Sequence, residues 1–309
     1  MRIAMFGSGG VGGNFGGLLA KSGVEVTFIA RGDHLRAMRE SGLRLGTEDG
    51  TFLVHPVQAT DDPSEVGEVD VVLVAVKAWQ VQDAARAMHP LVGKDTVVVP
   101  LLNGVEGPPE LSAELGDRCV IGGWCGTISY IIGPGHVFAG GGSITIGELD
   151  NSESERTSLL VEILSGAGIE ADIAPEIHGS MWGKFATIVA WSGVGAVTRT
   201  PTGVWRNVPE SRRMYDQAVL ETDAVARARG IEIPKAQLER VLSLPDHVPA
   251  ESLASMQRDI MDGRPSELEY QNGAVARYGQ EAGVDTPVNA FFYHSLLPLE
   301  RIARGEIKS

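Results

Sequence analysis

Three glycines at Gly-x-Gly-x-x-Gly spacing, set between two short apolar runs, confine the start of this chain to one kind of fold. Arg2-Ile3-Ala4-Met5-Phe6 leads into Gly7-Ser8-Gly9-Gly10-Val11-Gly12, and a second apolar run over residues 24–30 ends at Arg31. Between them residues 14–22 read as a helix, closed by Gly23. Strand, glycine turn, helix and strand in that order predict one βαβ half of a dinucleotide-binding domain. In this reading Gly7 permits the tight turn, Gly9 lets a pyrophosphate approach the backbone, and Gly12 lets helix and strand pack closely. Ser8, Gly10 and Val11 complete the loop. The pyrophosphate would sit on the helix N-terminus, where unpaired N–H groups and the dipole favour an anion.

The end of the second strand selects the nucleotide. An acid there binds the ribose 2′-hydroxyl of NAD, whereas an Arg accommodates the 2′-phosphate of NADP. Arg31 holds that position, with Arg36 and Arg39 shortly after, so NADP(H) is the expected cofactor; Asp33 leaves NAD as the alternative. A charge-assisted hydrogen bond is worth about 1.5–3 kcal/mol.

At 309 residues the chain is long enough for two domains with their own cores. Its net charge of −14 argues against nucleic acid or an anionic membrane surface as a partner. An acidic protein that binds an anionic cofactor needs local positive charge, which gives weight to each base near the glycine loop. Cys119 and Cys125 are the only cysteines, so no disulfide framework is implied and a cytoplasmic location is expected. The first strand begins almost at once, leaving no room for a signal peptide. The low-charge stretch 181–198 contains Lys184 and three glycines and reads as a buried helix, not a membrane span.

Strand-like runs recur at 69–76, 96–102, 120–122 and 143–146, with helical patterns such as 80–89 between several of them. Alternating β and α with nearly continuous Val and Ile predicts a parallel sheet covered on both faces. Residues 154–165 read as a helix, 169–173 as a last strand, and 140–142 as a turn. Beyond this the patterns are helical, at 177–190, 211–229, 235–242, 252–262, 266–282 and 287–304. The expected fold is α/β: a Rossmann-type domain over 1–174 and an all-helical domain over 175–309.

Lys77 follows the strand-like run 71–76, and Asn103-Gly104 follows 96–102. Ligands of open α/β sheets bind outside the carboxyl ends of strands. Lys77 there reaches a cofactor or substrate anion, or simply leaves the sheet into water. Asn103 orients a carbonyl or the nicotinamide ribose, or serves as a turn residue. Lys184 is the one charge in about five turns of apolar or small residues, and burying an ammonium is costly unless it is paired or its pKa falls. It either snorkels to the surface or acts as a general acid. Lys184, Ile188 and Ser192 share a helix face at i, i+4 and i+8. Ser266 and Glu269 have capping-box spacing, which would place Glu267 in a helix's first turn as an ionised acceptor. The histidines form no dyad, and no metal is expected.

Together these residues resemble the ketopantoate reductase (2-dehydropantoate 2-reductase) family across essentially the whole chain. The matching pieces are the 7–12 loop, Arg31, Val76-Lys77-Ala78-Trp79-Gln80, Leu102-Asn103-Gly104, Trp182-Gly183-Lys184-Phe185, Ser255-Met256-Gln257-Arg258-Asp259, and the run from Ser266-Glu267 to Asn272-Gly273. The resemblance implies NADPH-dependent reduction of a 2-oxo acid to an (R)-2-hydroxy acid, with ketopantoate to (R)-pantoate in pantothenate biosynthesis as the type reaction. It implies that Lys184 is the general acid, that Lys77 and Asn103 support cofactor and catalysis, and that Ser255 and Glu267 contact substrate. The family commonly has Asn where this chain has Ile188 and Ser192 among its substrate-binding positions. Replacing an amide by Ile removes donor and acceptor together, and a site built to bind a substrate hydroxyl then loses discrimination. A paralogous reductase of a less polar 2-oxo acid or ketone is therefore the first alternative, and a non-catalytic NADP(H)-sensing protein the second. The expected partner is a small-molecule 2-oxo acid; a homodimer is left open.

Overall fold

The computed structural model describes residues 1–47 and 50–308. Their contacts divide the chain into two compact units. One comprises Met1–Leu102 with Glu106–Ile177, the other Asn103–Val105 with His178–Ser309.

The first unit is built on β1 (Arg2–Phe6), α1 (Gly10–Lys21), β2 (Glu25–Ile29), α2 (Gly32–Ser41), β3 (Leu43–Thr47), β4 (Gly50–Val54), β5 (Gln58–Thr60), β6 (Val69–Val74), α3 (Val81–Ala87), β7 (Val92–Pro100) and α4 (Gly107–Leu115). It continues with β8 (Gly122–Gly126), β9 (Ser129–Gly133), β10 (His136–Ala139), β11 (Ser143–Gly147), α5 (Glu155–Gly166) and β12 (Glu170–Ile173). Five strands form the parallel sheet in the order β5-β2-β1-β6-β7. This is the doubly wound order, whose switch point falls between β1 and β6. Side chains alternate across the sheet because strand residues point to opposite faces in turn. Ile3 and Met5 pack with Phe15, Leu19 and Phe28 on one face; Ala4 and Phe6 pack with Val72, Val81 and Leu111 on the other.

The sequence reading holds for the parallel sheet and is incomplete beyond it. The runs at 143–146 and 169–173 belong to a separate sheet, β12-β11-β8, in which β8 and β11 are antiparallel, whereas Val120, just before β8, makes a parallel bridge to Val98 of β7. A further sheet, β4-β3-β10-β9, was not anticipated. Its strands are short and broken by glycines, so their alternation is weak as a signal. α1 also begins at Gly10, four residues earlier than its apolar pattern. Glycine is a poor helix former, and packing, not propensity, sets that start.

The second unit contains α6 (Ile177–Thr198), α7 (Thr202–Trp205), α8 (Pro209–Ala228), α9 (Lys235–Ser243), α10 (Ser255–Met261), α11 (Ala274–Ala282) and α12 (Pro287–Ala303). α6 runs for 22 residues and is apolar almost all round, as expected of a helix buried within its unit. Its Phe185, Ile188, Val189 and Val194 join Trp205, Tyr215, Val219 and Phe292 in one core. A buried carboxylate organises the neighbouring helices: Glu221 of α8, 3% exposed, accepts the N–H groups of Val288 and Asn289 in the first turn of α12. Among the described residues no helix is long and apolar enough to cross a membrane.

Candidate active site

In the first unit the glycine loop lies at the carboxyl end of β1. Gly7 adopts φ +96°, and a Cβ there would meet the Ala75 carbonyl oxygen at 2.7 Å, so the loop presses against the chain leaving β6. Gly12 is closer still, its hypothetical Cβ 1.9 Å from the Gly7 oxygen; helix and turn touch backbone to backbone. Gly10 is held off only by lacking a side chain against Ser129, at 2.5 Å. Gly9 differs from all three, because a Cβ there would meet nothing within 4 Å. That open position stands directly before α1, whose first N–H groups have no intrahelical acceptor. Ser8 is buried and its hydroxyl donates to the Ile29 carbonyl, tying the loop to β2.

The arginines after β2 divide their tasks. Arg36 pairs with Asp33 at 2.8 Å and Arg39 donates to the Ala59 carbonyl. Arg31, exposed at the start of α2 in extended conformation, is left as the cation at the strand end. His34 stands one turn into α2, and its Nδ1 accepts the Gly135 N–H at 3.1 Å. Burial pushes this imidazole below the usual 6.5, partly offset by a hydrogen bond with the Ser8 backbone. Lys77 lies three residues past the end of β6 at Val74, half-buried, with its ammonium 5.7 Å from the Trp79 ring.

In the second unit the structure brings together two residues that are 164 positions apart. The Asn103 amide donates to Glu267 at 3.1 Å, and Glu267 as a residue is only 4% exposed. Asn103 begins the short segment that packs within the helical unit, and Gly104 takes φ +100° against Tyr270. Lys184 lies on α6, half-buried, among Trp182, Phe185 and Ile188. Ile188, one turn on, is 6% exposed and part of the core. Ser192 is fully buried and its hydroxyl has no hydrogen-bond partner. Ser255 opens α10 and is half-buried.

The expected capping box at Ser266 does not form. The regular helix starts only at Ala274, after a π-helical turn over Glu269–Gly273. The Ser266 N–H and hydroxyl both donate to Glu300 of α12. Glu269 is drawn away to Arg277 and Tyr293, so it cannot reach back to close a box. The Ser266 hydroxyl still accepts the Leu268 N–H at 3.3 Å, so a local contact and a long-range one meet beside Glu267, and Glu300 is the residue the sequence reading missed. Its only sequence signal is the i, i+4 pair with Arg304, a spacing common on solvent-facing helices. Asn272, in the most distinctive sequence run, donates to the Val189 carbonyl and to Asn289. This staples the π-helical turn onto α6.

A doubly wound dinucleotide-type sheet in one unit, with Lys184, Asn103 and Glu267 in the other, has the parts of a dinucleotide-dependent oxidoreductase. Comparison with known proteins gives the family. Residues 3–151 match "Ketopantoate reductase PanE/ApbA", and residues 176–300 match "Ketopantoate reductase PanE/ApbA C terminal". A 2-dehydropantoate 2-reductase of Mesorhizobium japonicum is 30% identical over 93% of this chain and 94% of its own. A PanE/ApbA family ketopantoate reductase from Ralstonia eutropha JMP134 superposes with a TM-score of 0.90 at 30% identity, covering 98% of this chain and all of its own. The ternary structure of a D-mandelate dehydrogenase with NADH and anilino(oxo)acetate gives 0.89 at 26%, covering 98% and 99%. The chain belongs to the ketopantoate reductase PanE/ApbA family and is an oxidoreductase.

Proposed function

We propose that this protein reduces a 2-oxo acid to its 2-hydroxy acid with NADPH, ketopantoate being the first substrate to test. The observation that carries the reading is the hydrogen-bonded Asn103–Glu267 pair in the same unit as Lys184. The glycine loop fits a dinucleotide, because Gly9 alone among Gly7, Gly9, Gly10 and Gly12 keeps open space on its Cβ side. Gly7, Ser8, Gly9, Gly10, Val11 and Gly12 would hold the pyrophosphate, Arg31 the 2′-phosphate, and Lys77 would add positive charge beside the loop. Bound there, the nicotinamide would supply the hydride for the substrate's C2. Lys184 donates a proton from Nζ to the oxygen on that carbon as negative charge develops there. Asn103 holds the Glu267 carboxylate, which as an acceptor fixes a substrate hydroxyl or the Lys184 ammonium. Ser255 contributes a further hydroxyl to substrate binding.

A second reading rests on Ile188 and Ser192. Both stand where the family commonly has Asn, and Ile188 is packed into core. The likeness to a D-mandelate dehydrogenase shows the same fold in an enzyme named for an aryl 2-hydroxy acid. A less polar 2-oxo acid suits that surface better than ketopantoate does. Steady-state NADPH oxidation with ketopantoate beside branched and aromatic 2-oxo acids separates the two readings. Turnover of none of them would overturn both and favour a binding protein. Lys184→Ala should bind NADPH and lose most of kcat; retention of kcat would remove Lys184 from the mechanism. A cytoplasmic site and a homodimer remain part of the proposal, with sedimentation velocity as the check on assembly.

A further inference from the structure

Glu300 and Arg304 lie near the end of α12, outside every motif that suggested a role in catalysis. Their contacts converge on the residue preceding Glu267. The Ser266 N–H donates to both Glu300 oxygens at 3.0 Å each, and its hydroxyl donates to the same carboxylate. Arg304 donates from Nε to Glu300 at 2.6 Å and from Nη2 to the Ser266 carbonyl at 3.0 Å. Every polar group of Ser266, two on the backbone and one on the side chain, is therefore held by one ion pair. Ser266 is fully buried, and Glu300 is 4% exposed.

Glu300 is buried while Arg304 keeps contact with water, and desolvating the carboxylate offsets much of the attraction between them. A buried carboxylate does fix geometry, since an unmade contact to it is strongly penalised. The geometry needing to be fixed is next door. Glu267 stands ahead of a π-helical turn, with the Tyr270 N–H on its carbonyl and the Leu268 N–H on the Ser266 hydroxyl as local ties, and the regular helix begins at Ala274. Its carboxylate must nonetheless meet the Asn103 amide at 3.1 Å.

The geometry assigns Glu300, with Arg304, as a positioning residue that sets the Glu267 carboxylate by clamping the Ser266 peptide. This rests on the role proposed above for Glu267. Glu300 touches neither substrate nor cofactor in this scheme; it acts through one backbone segment. Glu300→Gln keeps the shape but replaces one accepting oxygen by a donor facing donors, so the clamp loosens without leaving a hole. Misplacement of a reacting group by about 1 Å costs on the order of 100-fold in rate, and a partial loosening should cost about tenfold.

The test is a double-mutant cycle on kcat/KM with the best 2-oxo acid of the panel, using wild type, Glu300→Gln, Glu267→Gln and the double variant. Ser266→Ala, alone and with Glu267→Gln, provides a second cycle should Glu300→Gln fail to fold. If Glu300 works through Glu267, its substitution lowers kcat/KM about tenfold in the wild-type background and has no further effect once Glu267 is Gln. The Kd for NADPH stays at the wild-type value throughout. Additive losses in both cycles, or wild-type kcat/KM in Glu300→Gln and Ser266→Ala, would overturn the positioning role while leaving Glu267 in place. Wild-type kcat/KM in Glu267→Gln, or no turnover of any 2-oxo acid, would remove the role of Glu267 and this one with it.

Discussion

Gly9 and Gly12 lack side chains for opposite reasons, and alanine separates them. A methyl on Gly12 would lie 1.9 Å from the Gly7 oxygen and 3.1 Å from Met5 Cγ. Carbon atoms pack best at about 3.5–4.0 Å, so α1 would have to move off β1. Overpacking costs about 1–3 kcal/mol, with the upper end expected where the obstacle is backbone. A chain of this size loses about 2–4 °C in Tm per kcal/mol. Gly12→Ala should therefore melt roughly 6 °C or more below wild type. At Gly9 the backbone has φ −69° and ψ −155°, at the edge of the extended region, and nothing lies within 4 Å of the new methyl. A gain of about 0.4–1 kcal/mol through the unfolded chain is offset by the advantage of glycine over alanine at the N-cap of α1. Gly9→Ala should melt close to the wild-type temperature. Its methyl occupies space the pyrophosphate would need, and one lost charge-assisted hydrogen bond is about 1.5–3 kcal/mol. That weakens NADPH binding by about 10- to 100-fold. Thermal melts with and without NADPH, with a nicotinamide-fluorescence titration, read both quantities. A wild-type Kd in Gly9→Ala, or a Tm loss matching that of Gly12→Ala, would refute the assignment.

Arg31→Ala should raise KM for NADPH about tenfold, the low end for one lost charged contact, and leave KM for NADH unchanged; equal effects on both would show that Arg31 does not read the 2′-phosphate. The His34 imidazole has a folded-state pKa below 6.5, so the folded chain binds its proton less readily than the unfolded one. The stability this gives is complete above about pH 6.5 and is lost as pH falls through 6.5 to the folded-state value. The Tm of His34→Gln should accordingly fall less between pH 7 and pH 5 than that of wild type, and parallel curves would contradict the burial argument. Asn272→Ala breaks two buried hydrogen bonds, to Val189 and Asn289, and should lower stability by about 1–3 kcal/mol in urea denaturation. An unchanged midpoint would show that the π-helical turn does not depend on this staple.

The glycine loop was legible because every requirement on it is local. Turn, helix start and strand lie within 31 residues, and spacing alone encodes them. Lys184 was legible for the contrary reason, as a charge out of place in an apolar helix. Ile188 shares a helix face with Lys184 by its i+4 spacing, and its proposed part in specificity comes from the resemblance, which has Asn there; the structure packs it with core side chains. Periodicity names a helix face but not what covers it. The region around Glu267 was legible only in part: Ser266 does accept the Leu268 N–H locally, but the box does not close, because Ser266 also answers to a carboxylate 34 residues away and Glu269 to Arg277 and Tyr293. The short strands 43–47, 50–54, 129–133 and 136–139 escaped notice because each has only four or five residues. The first two and the last two pair as local hairpins, and only the pairing of 136–139 with 43–47 joins strands distant in sequence.

The three residues Asn103–Val105 fold with the helical unit although the chain on both sides of them belongs to the other. The unit that carries Lys184 and Glu267 is thus discontinuous in sequence. A gene fragment beginning at residue 178 would encode the Glu267 acceptor without its Asn103 donor. Recombination between family members at the apparent domain boundary would pair one parent's asparagine with the other's glutamate. The two residues are consequently inherited as a unit only when the crossover avoids the stretch between 103 and 267. This constraint on shuffling follows from how the chain is threaded, not from how either unit is packed.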